Sequence, residues 1–326
     1  MVKVYVCKNP FPEVTGKLAG LYETRIWDGE DNPARSVLLE EVRDIEGLLT
    51  VSGVPINAEV IKTAPKLKVI STCSVGYDHI DIAAATARGI AVGYLPYVLT
   101  ETTADLAFGL LLTSARRIPE ADAFVRKGKW TRASHMDIPG VNVNNTTLGI
   151  IGFGRIGAHM ARRAKAFNMR VLYFDIRRRE DMESLMGVEF VPRLYDLLSQ
   201  SDFVTVHASL NETSRHMIST AEFAVMKRTA ILINAARGPI VDPQALYQAL
   251  KSHQILRAAL DVTEAEPIHM DDPLLTLDNL IITPHIGSLT VHTRKQMMIT
   301  AVENLIAGLG GKEVPYCANP EVYNKS

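Results

Sequence analysis

The sequence has few cysteines and almost no net charge. Its 326 residues include only Cys7, Cys73 and Cys317, an odd number at wide spacing. This pattern excludes a disulfide framework and zinc-ligand spacing, and it favours a reducing compartment. Lys plus Arg (35) nearly balances Asp plus Glu (36), for a formal charge of -1. Such a balance gives no support to nucleic-acid or membrane binding through net charge.

The sequence also lacks a long hydrophobic run. No apolar stretch approaches the roughly 18 residues of a membrane span, and the most apolar one lies between Asp105 and Arg116. The first residues, Met1 to Cys7, resemble a buried strand rather than a signal peptide. With 47% hydrophobic and 22% charged residues the composition is globular. We therefore expect a cytoplasmic protein of about two domains, with no nucleic-acid or membrane partner.

Short apolar runs alternate with longer helical patterns, which predicts parallel sheets covered on both faces. The first series of predicted strands covers 2–6, 47–50, 67–71 and 90–93. The second covers 147–152, 170–174, 203–207, 230–234, 257–260 and 280–283.

A buried helix over 101–117 separates the two series, and a last helix over about 290–309 has no strand near it in sequence. We expect that last helix to return to the first domain. The predicted fold is α/β, with two Rossmann-like or flavodoxin-like doubly wound parallel-sheet domains. The nucleotide-binding domain, 101–287, is inserted into a substrate domain formed by 1–100 and 288–326.

A glycine-rich loop follows the predicted strand 148–151. Gly152, Gly154 and Gly157 form a G-x-G-x-x-G pattern that includes Arg155 and Ile156 and opens a predicted helix. The first glycine permits a tight turn, the second lets a pyrophosphate approach the backbone, and the third lets the helix pack on the strand. The helix N-terminus then offers unpaired N–H groups to phosphates. This context predicts a dinucleotide site.

An acidic residue ends the next predicted strand. Asp175 follows Gly157 by 18 residues, close to the spacing expected of a carboxylate that binds the adenosine ribose. It favours NAD(H) and would repel a 2′-phosphate. The arginines Arg177–Arg179 follow shortly after it in sequence and could bind a 2′-phosphate through charged hydrogen bonds. NADP(H) therefore stays open as an alternative.

Three late loops, each after a predicted strand, could carry redox chemistry. Arg237 can hold a carboxylate through two hydrogen bonds and polarise a carbonyl. His285, between proline and glycine, can act as general acid or base. Glu266 can hold the imidazole in place. His79, by contrast, is expected to be structural.

These motifs resemble the D-2-hydroxyacid dehydrogenase family, in the family's order and over nearly the whole chain. Within the family the sequence is most similar to the glyoxylate/hydroxypyruvate reductases, through segments such as 67–76, 260–263, 273–277 and 284–288. The resemblance implies a nicotinamide-dependent reduction of a small 2-oxo acid to the D-2-hydroxy acid, without a metal. Mammalian-type members tend to lack an acid at the position of Asp175 and use NADPH, so this residue departs from their pattern.

The resemblance also implies site residues and a partner. The implied catalytic residues are Arg237, Glu266 and His285. The implied substrate contacts are Val75, Gly76, Arg237, His285 and Ser288. The expected cofactor contacts are Thr103, Gly152, Gly154, Arg155, Ile156, Gly157, Asp175, Ala235, Asp261, His285 and Gly287. Family members are typically homodimers, and the resemblance places the interface on the long helix and the arm 118–145, with Trp130 as an interface or core aromatic.

Two other functions remain open from the sequence. One is a dehydrogenase for another D-2-hydroxy acid, such as phosphoglycerate or a lactate-type substrate, or for formate. The other is a dinucleotide-sensing binding protein, like the corepressors built on this fold, because fold alone does not fix function.

Overall fold

The computed structural model describes residues 1–133 and 137–324. The chain forms two compact units, which are described separately below. The first contains 1–99 and 289–326, and the second contains 100–288. These boundaries differ by one residue from the changes expected at 100/101 and 287/288.

Twelve strands and twelve helices are assigned in the described residues. The strands are β1 Lys3–Val6, β2 Glu23–Ile26, β3 Gly47–Thr50, β4 Val69–Thr72, β5 Ala91–Gly93, β6 Thr147–Ile151, β7 Arg170–Phe174, β8 Glu189–Phe190, β9 Phe203–Val206, β10 Ile231–Asn234, β11 Arg257–Leu260 and β12 Leu280–Ile282. The helices are α1 Pro12–Ala19, α2 Arg35–Glu41, α3 Ala58–Thr63, α4 Ile82–Ala87, α5 Thr100–Arg116, α6 Ile118–Arg126, α7 Arg155–Ala166, α8 Glu180–Met186, α9 Leu194–Gln200, α10 Thr220–Val225, α11 Pro243–Lys251 and α12 Val291–Leu309.

The first unit is built on a five-stranded parallel sheet in the order β2-β1-β3-β4-β5. Its central strands β3 and β4 are fully buried, because helices cover both faces. Helix α12 packs against β3, β4 and β5, and the Ser71 hydroxyl donates to the Ala301 carbonyl at 2.7 Å. The C-terminal helix therefore completes the core of a sheet whose strands lie two hundred residues earlier.

The second unit contains a seven-stranded parallel sheet in the order β12-β11-β10-β9-β6-β7-β8. The chain starts at β6 in the middle, builds β7 and β8 to one side, and then returns to add β9 to β12 on the other. The order reverses between β6 and β9, and open α/β sheets bind ligands at the carboxyl ends of the strands at such a point. Strands β6, β9, β10 and β11 are almost entirely buried.

The sequence prediction missed β2 and β8, two of the four strands at the sheet edges. Their sequences, Glu-Thr-Arg-Ile and Glu-Phe, are short and partly polar, because one side of an edge strand faces solvent. The other predicted strands that the sheets contain differ from the observed bounds by at most two residues.

None of the residues of helix α6 is buried, which is also true of the shorter helix α8. Trp130, a few residues further on, is 72% exposed, so it is not a core aromatic of this chain. Residues 134–136 of the arm expected to form an interface lie outside the described residues. Among the helices of the described ranges, none is both long enough and apolar enough to cross a membrane.

Candidate active site

The glycine loop lies at the carboxyl end of β6, where the strand order reverses. Gly152 has φ +88°, and a Cβ there would lie 2.5 Å from the Ala208 amide nitrogen. A Cβ on Gly157 would lie 2.3 Å from the Gly152 carbonyl oxygen, so the helix packs directly on the loop. A Cβ on Gly154, however, would meet nothing within 4 Å. Packing therefore explains the first and third glycines, whereas the second borders open space.

That open space fits a phosphate group. Gly154 is the N-cap of α7, a helix of twelve residues, and no side chain caps its N-terminus. Its first N–H groups and the positive end of its dipole are therefore available to an anion. Arg155 and Ile156 form the first turn, with Arg155 exposed.

Asp175, at the end of β7, organises the same loop. Its Oδ2 accepts a hydrogen bond from the Phe153 N–H at 2.6 Å, and its Oδ1 accepts one from the Arg177 N–H at 3.0 Å. A carboxylate has about four lone-pair positions, so it can also accept from ribose hydroxyls. Asp175 thus links the glycine loop to the turn after β7, a contact that the sequence did not predict.

The three arginines after Asp175 differ in their contacts. Arg178 makes a bidentate ion pair with Glu183 at 2.8 and 2.9 Å. Arg179 makes a bidentate pair with Asp181 at 2.9 and 3.0 Å. The Arg178 guanidinium and the Tyr173 hydroxyl together lower the pKa of Glu183 to about 2, so this carboxylate stays ionised. Within the described ranges, Arg177 is the member of the run whose side chain has no ion pair.

His207 follows β9, across the reversal point from the glycine loop. Its Nε2 lies 2.8 Å from Thr205 Oγ1, whereas its Nδ1 is buried and has no hydrogen-bond partner among the described residues. Burial lowers the pKa of His207 to about 3, so its imidazole is neutral near pH 7. No sequence pattern singles out His207, because only the fold places it beside Gly152. An orphaned polar atom here, like the space beside Gly154, fits a bound dinucleotide.

His285 and Glu266 are in direct contact. His285 Nδ1 lies 2.7 Å from Glu266 Oε2, and both side chains are more than a third exposed. Because the carboxylate only accepts, Nδ1 carries the proton, and Nε2 is the nitrogen left to exchange a proton with a substrate. The second oxygen of Glu266 accepts from the Thr263 N–H at 3.3 Å, which anchors the carboxylate to its own loop.

The loop that carries His285 is held by Asp261. His285 has φ +54°, a left-handed conformation that is uncommon for a residue with a side chain. The buried Asp261 carboxylate accepts from the Thr283 hydroxyl at 2.6 Å and from the N–H groups of Ile286 and Gly287 at 2.9 and 2.8 Å. Asp261 therefore stabilises the turn on both sides of His285.

Thr103, on α5, lies against this turn. A Cβ on Gly287 would come within 3.1 Å of Asp261 Oδ2 and 3.3 Å of Thr103 Cγ2. Three of the expected cofactor contacts, Thr103, Asp261 and Gly287, therefore lie together. Ser288, the last residue of this unit, is also buried.

Arg237 lies in the loop after β10. The buried Asn234 donates from Nδ2 to the Arg237 carbonyl at 2.9 Å and accepts from the Ala236 N–H at 3.1 Å, which fixes the loop around Ala235. A Cβ on Gly238 would lie 1.9 Å from the Thr263 carbonyl oxygen. The backbone of the Arg237 loop is therefore packed against the loop that carries Glu266.

Val75 and Gly76 belong to the first unit, in the loop after β4. Their N–H groups have no hydrogen-bond partner within the part of the chain that the structure describes. Two unpaired neighbouring N–H groups at the carboxyl end of a parallel strand can bind a carboxylate. Throughout 1–133 and 137–324, no group of three or more His, Cys, Asp or Glu residues is arranged to hold a metal ion.

A comparison with known protein families identifies the second unit. Residues 108–287 match the model of the D-isomer specific 2-hydroxyacid dehydrogenase NAD-binding domain. The chain belongs to the D-isomer specific 2-hydroxyacid dehydrogenase family. This dehydrogenase is 49% identical over 321 residues to a glyoxylate reductase of Korarchaeum cryptofilum, covering 98% of this chain and 96% of that protein.

Two solved structures of the family bear on the cofactor. The dehydrogenase is similar to the NADPH-dependent glyoxylate/hydroxypyruvate reductase of Sinorhizobium meliloti, solved with NADP and malonate, at 30% identity and a TM-score of 0.86, covering 98% of this chain and 97% of that one. It is also similar to the D-lactate dehydrogenase of Aquifex aeolicus, solved with NAD and lactic acid, at 30% identity and a TM-score of 0.85, covering 95% and 96%. Relatives with this fold therefore bind either nicotinamide dinucleotide.

Proposed function

We propose that this dehydrogenase reduces glyoxylate and hydroxypyruvate to the corresponding D-2-hydroxy acids with NAD(P)H. The contact between His285 Nδ1 and Glu266 Oε2 carries the proposal, because it gives a histidine whose second nitrogen can deliver a proton. Sequence identity of 40–49% to several glyoxylate reductases supports the choice of substrate.

When held by the glycine loop and Asp175, a nicotinamide dinucleotide would supply the hydride that C2 of the oxo acid receives. His285, as the imidazolium, gives the proton from Nε2 to the carbonyl oxygen and becomes neutral, which completes the alcohol. Glu266 keeps Nδ1 protonated and stabilises the cation before transfer. Arg237 polarises the carbonyl and binds the acid, and the unpaired N–H groups of Val75 and Gly76 hold its carboxylate. Oxidation of the hydroxy acid follows the same steps in reverse.

We infer NAD(H) as the preferred cofactor, with NADP(H) as the alternative. The Asp175 carboxylate, next to the glycine loop, supports this preference because it repels a 2′-phosphate. The ion pairs of Arg178 and Arg179 support it further, since both guanidinium groups are already engaged. We also propose a homodimer, and a cytoplasmic location, with which the three free cysteines are consistent.

A panel of 2-oxo acids tests this function. Purified enzyme is assayed with NADH and NADPH in parallel against glyoxylate, hydroxypyruvate, pyruvate and phosphohydroxypyruvate, and the reverse reaction is tested with formate. We expect glyoxylate and hydroxypyruvate to give the highest kcat/KM. A higher value for another acid would contradict the proposed substrate, and tight cofactor binding without any turnover would favour a dinucleotide-sensing protein.

A further inference from the structure

A chain of hydrogen bonds connects the buried end of β4 to the loop that contains Val75 and Gly76. Ser74 Oγ donates to the Gly76 carbonyl at 2.6 Å. Thr72 Oγ1 lies 2.8 Å from Ser74 Oγ, and His79 Nε2 lies 3.1 Å from Thr72 Oγ1. Thr72 and Ser74 are buried, so the bond between them is shielded from water, whereas the bonds to Gly76 and His79 are partly buried.

Counting the available protons shows which group donates and which accepts in each of these hydrogen bonds. A carbonyl oxygen only accepts, so the single hydroxyl proton of Ser74 is used on Gly76. Ser74 Oγ must therefore accept from the Thr72 hydroxyl. Thr72 has then used its own proton and must accept from His79, which requires a proton on Nε2. All three bonds are made together only when His79 carries that proton.

The histidine is held in place independently of its ring. The His79 carbonyl accepts from the Ile56 N–H at 2.8 Å, and the adjacent Ile80 N–H donates to Tyr77 at 2.9 Å. The Ser74 carbonyl is fixed in turn by the Leu95 N–H at 3.0 Å. The loop 74–79 is thus anchored at both ends, and the hydrogen-bond chain fixes its middle, where the N–H groups of Val75 and Gly76 are unpaired.

We propose that His79 is a positioning residue that, through Thr72 and Ser74, holds the Val75–Gly76 loop in the conformation that binds the substrate carboxylate. The proposal rests on the function proposed above for that loop. Donors that are fixed before the substrate arrives lose little entropy on binding, so breaking the chain weakens substrate binding and leaves proton transfer at His285 unaffected. Breaking these hydrogen bonds should therefore raise KM for the oxo acid and leave kcat nearly unchanged.

Substitutions of His79 and Ser74, the first and last side chains of the hydrogen-bond chain, test the proposal. His79→Leu and Ser74→Ala are each expected to raise KM for glyoxylate about tenfold, the factor typical of one lost hydrogen bond, with kcat and KM for NADH changed less than about twofold. His79→Gln places an N–H near the position of Nε2 and is expected to restore most of the affinity. The double variant should resemble either single one, because both break the same chain.

Two measurements separate this role from a general effect on folding. Ser71→Ala removes another buried hydroxyl bond from the same strand, that to Ala301, and is expected to lower Tm without changing KM. The Kd of oxamate in the presence of NADH, measured by calorimetry, reports carboxylate binding without turnover and should rise in parallel with KM.

The outcomes distinguish this proposal from the proposed function. If wild-type enzyme reduces glyoxylate but both single variants keep KM and the oxamate Kd within about twofold, the role of His79 is refuted and the function stands. Additive effects in the double variant, or no recovery with Gln, also refute it. If the wild type reduces no 2-oxo acid, the proposed function itself fails.

Discussion

At the scale of single residues, His285 shows how the site is maintained. Its left-handed backbone would cost free energy in a free loop, and the three hydrogen bonds that Asp261 accepts compensate for it. Glu266 then fixes the imidazole from the other side. The position of His285 and the orientation of its ring are therefore set by two different carboxylates.

Removal of the imidazole should affect chemistry and not cofactor binding. His285→Ala is expected to lower kcat for glyoxylate by about 100-fold or more, because it removes the proposed general acid. The Kd for NADH, measured by fluorescence, should change less than about threefold. Arg237→Lys should instead raise KM and lower kcat together, since an ammonium cannot replace a bidentate guanidinium. Near-normal steady-state kinetics in both variants would contradict the site assignment.

His207 should make stability depend on pH. Its folded-state pKa of about 3 lies below the unfolded value of about 6.5, so the unfolded state binds the extra proton as the pH falls. The contribution of neutral His207 to the free energy of unfolding is fully present above about pH 6.5 and is lost progressively as the pH falls below that value. At pH 5 the free energy of unfolding should fall by about 2 kcal/mol relative to pH 7 through this residue alone.

His207→Gln should remove that component and keep a polar contact to Thr205. Urea denaturation of wild type and variant at pH 7 and pH 5 measures the difference, with the exposed His292→Gln as the matched control. An equal pH dependence in wild type and His207→Gln would show that His207 is not buried in its neutral form.

At the scale of elements, the turn between β7 and α8 contains residues that favour NAD(H) and residues that could favour NADP(H). Asp175 disfavours a 2′-phosphate, whereas the arginines behind it would attract one if they were not paired. Glu183 and Asp181, both on α8, hold Arg178 and Arg179. The preference for a cofactor therefore depends on a helix as well as on the carboxylate at the strand end.

Changes in this turn should shift the preference towards NADPH. Asp175→Ser is expected to lower kcat/KM for NADH about tenfold or more, since it removes the ribose acceptor and the partner of the Phe153 N–H. Adding Glu183→Gln should raise kcat/KM for NADPH further, because it releases Arg178. Asp196→Asn breaks a similar bidentate pair with Arg193 elsewhere and serves as the control. An unchanged ratio of the two kcat/KM values in Asp175→Ser would refute the role of this carboxylate.

At the scale of the whole molecule, α6 is an amphipathic helix that the described part of the chain leaves without a buried residue. Ile118 and Val125 are 52% and 51% exposed and lie two helical turns apart, on one face. They give α6 an exposed apolar face of the kind that a second subunit covers, and Trp130, four residues after the helix in sequence, is exposed as well.

A charge on that surface should prevent association. Val125→Glu is expected to convert the proposed dimer to a monomer in sedimentation velocity, and Leu21→Glu, at an exposed leucine of the first unit, should leave the dimer intact. A wild-type protein that sediments as a monomer at micromolar concentration would contradict the dimer directly.

Local sequence patterns determined the architecture of this dehydrogenase. Alternating apolar runs and helices are sufficient to predict two parallel sheets, because a strand buried on both faces must be apolar throughout. The G-x-G-x-x-G pattern and Asp175 predict a dinucleotide loop, since their spacing follows from one strand, one turn and one helix. The edge strands β2 and β8 were not predicted because they are partly exposed to solvent and their sequences are therefore partly polar.

The tertiary structure alone decided which polar groups meet. Four features depend on where backbone and side chains meet in three dimensions. They are the Phe153 N–H bond of Asp175, the turn stabilised by Asp261, the buried Nδ1 of His207 and the hydrogen-bond chain from His79 to Gly76. The bonds of Asp175 and Asp261 join residues from different strands or loops, and a hydrogen bond forms only within about 3 Å and in the right direction. A linear pattern contains neither that distance nor that direction, so it can propose residues for this site but not the bonds that position them.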